Sequence, residues 1–272
     1  MTTMKKTLTL AGSDSSGGAG IQADLKTFQE NGVYGMTALT SIVTMDPDNN
    51  WGHDVYPIDV KIVEKQLNTI LSVGIDAMKT GMLGSVEIIE LGAHKIDKFK
   101  LDKVVIDPVM VCKGEDEVLQ PENTDAMREL LLPRATITTP NLFEAGQLAR
   151  TGTIKTIDDM KEAAVKIHEL GANSVVIKGG KALNHEKALD LFYDGKEFIL
   201  LENDKIDTTY NHGAGCTFAA AITANLAKGK SIKDAVSAAK ASVYAAISSG
   251  WKLNEYVGPV MHGAYNQFGN NR

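Results

Sequence analysis

Strand-length apolar runs alternate with helix-length amphipathic stretches along most of this chain, and that alternation restricts the fold more than any other feature. Residues 7–11 (TLTLA) suit a buried strand, and Ile21, Leu25 and Phe28 then fall at i, i+4 and i+7 on one helical stripe that Asn31-Gly32 ends. The cycle recurs, with strands over 38–44, 77–79, 104–107, 136–139 and 174–177. Helices are predicted over 60–71, from Val86 onward, and over 122–132 and 156–170. Repeated βα units build a mostly parallel sheet with helices on both faces. Asp194-Gly195, between 188–193 and 198–202, is a hairpin signal and predicts an antiparallel pair at one sheet edge. The last third, 216–228 and 231–249, is helical and rich in alanine, as close packing favours. The 272 residues fit one α/β domain spanning 1–272.

Composition excludes several function classes. The net charge is −6 and the sequence has no basic stripe, so a nucleic-acid partner is not expected. No apolar run reaches membrane-spanning length, and no signal-peptide core follows the first lysines, so the cytoplasm is the expected compartment. Cys112 and Cys216 are too few for a disulfide framework and read as free thiols in a reducing environment. No His, Cys, Asp and Glu grouping has zinc-ligand spacing, and Gly-x-Ser-x-Gly is absent.

In an open α/β sheet, ligands bind beyond the carboxyl ends of the strands, so the residues following each strand matter most. The first such segment is Gly12-Ser-Asp-Ser-Ser-Gly-Gly-Ala-Gly20. It can offer backbone N–H groups to an anion, and Asp14 and Asp24 can reach a polar ligand; it also serves simply as a tight turn. It is not a Walker A loop, and Gly18-x-Gly20-x-x-Ala23 is only a partial dinucleotide fingerprint. The second is Asn211-His212-Gly213-Ala214-Gly215-Cys216-Thr217, opening an Ala-rich helix. Small residues let an anion approach the unpaired N–H groups of a first helical turn, and a thiol there is acidified. The alternative is a structural cysteine beside a cap.

Three further segments carry charge. Asp107 ends an apolar strand, where a carboxylate can meet magnesium or cap a loop. Asn141 and Glu144, three apart, can share a helix face toward a hydrated magnesium ion, or form a capping box, which the spacing favours. Lys178 precedes Gly179-Gly180 and suits a phosphate, as it also suits a solvated turn.

Taken in order, AGSDSSGGAGIQADLKTF at 11–28, KTGMLG at 79–84, DPVM at 107–110, TPNLFEA at 139–145, VIKGG at 176–180 and HGAGCTFAAAI at 212–222 resemble the hydroxymethylpyrimidine (phosphate) kinases and their pyridoxal kinase relatives in the ribokinase-like superfamily. The resemblance runs through nearly the whole chain. It implies a ribokinase-like fold: a central, mostly parallel sheet, helices on both faces, and a small flap near 45–55. It implies an ATP- and Mg2+-dependent kinase acting on a hydroxymethyl group, and a homodimer. By the same resemblance Gly213, Ala214, Gly215 and Cys216 match the anion hole and the base. Lys178, Asn141 and Lys240 match the nucleotide side, and Asp107 and Glu144 the metal side. Gly12, Asp24, Val43 and Met82 match positions around the acceptor ring.

One departure bears on the ring. Pyrimidine kinases of this branch usually carry Gln where this chain has Met45. A Gln amide pairs with an aminopyrimidine edge and a thioether does not. Cys112 with Lys113-Gly114, and the flap stretch Trp51-Gly52-His53-Asp54, resemble a two-cysteine pyridoxal kinase subgroup of Gram-positive bacteria. Pyridoxal, pyridoxine and pyridoxamine are therefore the expected acceptors, with hydroxymethylpyrimidine or its phosphate as the alternative. Cys112 is expected to act on the aldehyde or in proton relay. A Rossmann-type oxidoreductase and a non-catalytic nucleotide or pyridoxal-phosphate sensor remain as readings of other classes.

Overall fold

The computed structural model describes residues 3–110 and 121–268, so Cys112 and its expected role lie outside the described residues. In chain order the elements are β1 (Lys6–Asp14), α1 (Gly20–Glu30), β2 (Tyr34–Asp46), β3 (Gly52–Pro57), α2 (Val60–Ser72), β4 (Ala77–Thr80), α3 (Val86–Phe99), β5 (Val104–Ile106) and α4 (Pro121–Ala126). There follow β6 (Ile137–Thr138), α5 (Leu142–Ala149), α6 (Ile157–Glu169), β7 (Val175–Gly180), β8 (Ala188–Tyr193), β9 (Phe198–Asn203), α7 (Ala214–Ala227), α8 (Ile232–Ser248) and α9 (Ala264–Phe268). The chain gathers into two compact units, one of Met1–Gly84 with Asp207–Arg272, the other Ser85–Ile206.

In the first unit the strands lie in the order β3-β2-β1-β4, with β1 parallel to β2 and β4 and β3 antiparallel to β2. Leu8 and Leu10 on the central strand are fully buried. Helix α7 packs against α1, β1 and β4. Every residue from Thr217 to Ala227 is buried, which explains its lack of a polar face. Its alanines let backbones approach closely, and Phe28 and Val33 fill the space beside Ala220 and Ala224.

In the second unit the order is β5-β6-β7-β8-β9, parallel up to β7 and antiparallel thereafter. The Asp194-Gly195 hairpin forms as expected, with Gly195 at φ +87° and Tyr193 opposite Phe198. The predicted helix over 122–132 is not continuous. A π turn, Met127–Leu131, and a 3-10 turn, Leu132–Arg134, follow α4. Pro133 is the cause, since its ring clashes with the carbonyl four residues back and it has no N–H to donate.

Strand β3 is the element the sequence hid. Gly52-His-Asp-Val-Tyr-Pro57 is largely exposed and carries no apolar alternation. It forms because β2 runs to Asp46 and turns back through Asn50 and Trp51, both at positive φ. The stretch expected as a flap is thus a two-stranded antiparallel extension of the first unit.

Candidate active site

The opening turn of α7 is built around a backbone that only glycine accepts. Gly213 sits at the N-cap with φ +82°, and a Cβ there would lie 1.8 Å from the Gly18 carbonyl oxygen. Ala214, Gly215 and Cys216 follow as the first helical residues and stay partly exposed. The turn closes when the Thr217 N–H and Oγ1 both donate to the Gly213 carbonyl, at 2.9 and 2.8 Å. The Thr217 hydroxyl proton is thereby used, so the His262 Nδ1–H donates to Thr217 Oγ1 at 2.9 Å. Burial, then the nearby charges of Lys26 and His212, push the His262 imidazole down to about 4, so it is neutral near pH 7. Such a turn presents N–H groups without intrahelical acceptors to an anion, with the helix dipole aligned toward it.

The residues expected around the acceptor ring divide into three groups. Gly12 and Met82 come together: the space of a Gly12 Cβ is bounded by Met82 Cε at 2.9 Å and Ser41 Oγ at 2.7 Å. Met45 and His53 lie directly opposite each other across β2 and β3, and Val43 is buried two residues earlier on the same strand face. Asp14 and Asp24 each hold partners within the fold. Asp24 is fully buried, accepts from Thr9 Oγ1 at 2.6 Å, and pairs through both oxygens with Lys79 Nζ at 2.9 and 3.0 Å. Thr9 and Lys79 are register partners on β1 and β4, so one face of the sheet grips α1 through Asp24.

Asp14 is also committed. Its oxygens accept from the N–H groups of Ser16 and Ala19 at 2.8 and 2.7 Å, and Oδ2 meets His212 Nε2 at 2.7 Å. Burial alone would raise its pKa. The hydrogen bonds from His212, Ser16 and Ala19, together with the charge of His212, outweigh burial and hold it well below the usual carboxylate range. The glycine at position 18 is explained here as well, because its backbone packs against Gly213 and His212.

The second unit holds the other cluster. Asp107, at the end of β5, accepts from Thr139 Oγ1 at 2.9 Å and from Lys178 Nζ at 3.0 Å. Asn141 and Glu144 make the capping box of α5, each side chain accepting from the other residue's N–H at 2.8 Å. The cap does not exhaust Glu144. Burial raises its carboxyl to about 7; Lys178 opposes this and Asp107 adds to it. A short bridge between Asn141 and Lys178 ties the start of α5 to β7. A carboxylate pair beside the Lys178 ammonium suits a cation that keeps some of its waters, which is how magnesium is usually held. Among the described residues no group of three or more His, Cys, Asp or Glu is placed to hold a metal directly. Lys240 stands half-buried on α8.

Sequence reasoning passed over His212, Thr217, His262, Lys79 and Thr139. His212 was visible as the residue before the glycines. The others are ordinary residues in ordinary elements, whose roles arise only from what the fold sets beside them.

Comparison with known proteins adds what geometry alone leaves open. The family profile described as phosphomethylpyrimidine kinase matches residues 14–261. Pyridoxine kinase of Bacillus subtilis (strain 168) is 62% identical over 262 residues, covering 96% of this chain and 97% of that protein. The hydroxymethylpyrimidine/phosphomethylpyrimidine kinase of the same organism is 43% identical, over 96% and 95%. The structure of pyridoxal kinase from Staphylococcus aureus in complex with AMP-PCP and pyridoxal superposes with a TM-score of 0.93 at 57% identity, covering 98% of this chain and 96% of that one. The fold class expected from the sequence, α/β and ribokinase-like with a mostly parallel sheet, is therefore the one observed. With the αL turn at Gly213, the buried Asp107–Glu144 pair and a profile spanning nearly its whole length, the chain belongs to the phosphomethylpyrimidine kinase family.

Proposed function

We propose that this chain transfers the terminal phosphoryl group of ATP to the hydroxymethyl group of pyridoxal, pyridoxine and pyridoxamine. The observation that carries the reading is the opening turn of α7, where a left-handed Gly213 and two small residues leave room for an anion just before Cys216. Phosphoryl transfer asks a protein mainly for positioning and charge stabilisation. The first N–H groups of the turn stabilise charge growing on the transferring phosphoryl oxygens, that of Ala214 by leaving the Asn211 carbonyl, to which it donates at 3.1 Å. Cys216 takes the proton of the acceptor hydroxyl as the oxygen attacks. Lys178 binds nucleotide phosphate, Asn141 orients the start of α5 beside it, and Lys240 approaches the nucleotide from α8. Asp107 and Glu144 fit a hydrated Mg2+, on the evidence of two buried carboxyl groups close enough to raise the pKa of Glu144 beside Lys178. When bound, that ion supplies neutralisation of phosphate charge.

The ring assignment rests on Met45. Placed opposite His53, it offers a thioether where an aminopyrimidine would need an amide. Gly12, Val43 and Met82 shape the apolar side of the ring site. Cys112 adds as a thiolate to the aldehyde carbon of pyridoxal, its sulfur forming the new C–S bond and the carbonyl oxygen becoming the alkoxide of a hemithioacetal. A cytoplasmic homodimer completes the proposal. No helix among the described residues is long and apolar enough to cross a membrane.

The test is an ADP-release assay with ATP, Mg2+ and each ring in turn. Turnover with pyridoxal at a kcat/KM above that for hydroxymethylpyrimidine is expected. Preference for the pyrimidine overturns the ring assignment, and ligand binding without ADP release overturns the kinase. Cys216→Ala is expected to lower kcat by about 10²-fold or more with a smaller change in KM for the ring. Cys112→Ala is expected to impair pyridoxal more than pyridoxine, which has no aldehyde. Light scattering reads the dimer.

A further inference from the structure

Asp14 and His212 meet directly before the glycines of the α7 turn, and the reaction as proposed uses neither. Asp14 is held from several sides, since Oδ1 accepts from Ser16 N–H while Oδ2 serves both Ala19 N–H and His212. It is buried, at 5% exposure. His212 is fixed just as fully. Its N–H donates to the Gly258 carbonyl and its carbonyl accepts from Val260 N–H, each at 3.1 Å, and its ring is held by Asp14. Directly after it the two glycine turns interlock. A Cβ on Gly18 would lie 2.4 Å from His212 Cδ2, and one on Gly213 would lie 1.8 Å from the Gly18 oxygen. The direction in which the first N–H groups of α7 point is thus set by contacts with residues 14–19 and 258–260 as well as by the helix.

We infer that Asp14 and His212 form a positioning pair: the carboxylate, fixed in the first glycine turn, holds the imidazole that in turn orients Gly213–Cys216. The inference rests on the proposed phosphoryl-transfer role of that turn. It replaces the expectation that Asp14 contacts the ring. A misoriented donor loses little in ground-state binding, because substrates have other contacts. It loses much in the transition state, where charge appears at one place. An error of about 1 Å at a reacting centre can cost on the order of 10²-fold.

The experiment measures kcat and both KM values for wild type, His212→Ala, His212→Gln and Asp14→Asn, with thermal melts to confirm that each is folded at the assay temperature. A Gln amide nitrogen reaches about as far as His Nε2 and donates to the same oxygen. His212→Ala is expected to lower kcat by about 10–100-fold while KM for ATP and for pyridoxal change by less than about threefold, and His212→Gln to restore kcat to within about fivefold of wild type. Asp14→Asn, which turns one acceptor into a donor facing donors, is expected to resemble the alanine variant. An Asp14→Asn enzyme with raised KM for the ring and normal kcat overturns the inference in favour of direct ring binding. A Gln variant as slow as Ala overturns it in favour of proton transfer by His212. Both outcomes differ from failure of the kinase reading, in which wild type itself releases no ADP.

Discussion

Glu144 makes the metal side of this protein sensitive to pH in a direction opposite to most carboxylates. Buried beside Asp107, it ionises near pH 7 in the fold against 4.5 for a free glutamate. The folded chain therefore keeps this proton to higher pH than the unfolded chain. Below about pH 4.5 the group leaves stability unchanged, because both states are protonated. Between 4.5 and 7 the unfolded state releases its proton first and stability declines. Above 7 the full cost is present, roughly 3 kcal/mol for a shift of this size. A cation that binds the ionised pair offsets that cost and competes with the proton. The stabilising effect of Mg2+ is therefore expected to be small at pH 5.5, to grow through pH 7, and to level off by pH 8.5. Thermal melts with ADP, with and without Mg2+, at those three pH values read it out. Glu144→Gln keeps an oxygen for the Asn141 N–H, so the cap of α5 survives. In that variant the pH dependence of the Mg2+ effect should flatten between 5.5 and 8.5. Equal pH dependence in wild type and variant would refute the reasoning, because the proton that Mg2+ displaces would then belong to another group.

Three other outcomes are expected. Lys79→Met leaves the fully buried Asp24 carboxylate without its ammonium and should cost about 3–5 kcal/mol in denaturant unfolding, while adding Asp24→Asn should recover much of the loss; no recovery would show that the pair is not the relevant contact. Met45→Gln should raise kcat/KM for hydroxymethylpyrimidine relative to pyridoxal by about tenfold or more, measured as a ratio in one competition assay. His262, held down to about 4, stays neutral in the fold while the unfolded chain takes up a proton near 6.5. Stability should accordingly fall as pH drops from about 6.5 to 4, by at most roughly 3 kcal/mol, and His262→Gln should show a weaker fall over that window.

The alternation of strands and helices was legible because burial on both sheet faces writes itself into the chain as apolar periodicity. Strand β3 was not, because Gly52–Pro57 is exposed and pairs through its backbone. The break after α4 carried a sign in Pro133, yet one proline does not say whether a helix will kink, tighten or stop. At the site, the glycines announced themselves and the capping box at Asn141 and Glu144 was correctly anticipated from its spacing. What spacing could not supply was the third partner. Asp107 lies 37 residues from Glu144 in sequence, and only the β5–β6 pairing that carries Thr139 beside it brings the two carboxylates into one field.

The same reasoning explains why the partners of Asp14 and Asp24 could not be read from the sequence. An Asp in a loop and an Asp in the first turns of the next helix both look available to a ligand while their partners are unknown. Their partners are Lys79, 55 residues away, and His212, 198 residues away. Neither separation leaves a local signature. A buried carboxylate must nevertheless be answered by a donor or a cation, or it will not stay ionised. An Asp predicted on the buried face of a helix therefore already implies a distant base, and in an α/β chain the lysine of a neighbouring strand such as β4 is the first place to look for it. For Asp14 the answering group precedes the α7 turn itself. The acceptor-side glycines and the helix start are consequently joined by the 2.7 Å contact between Asp14 and His212, and one carboxylate helps decide where several N–H groups aim.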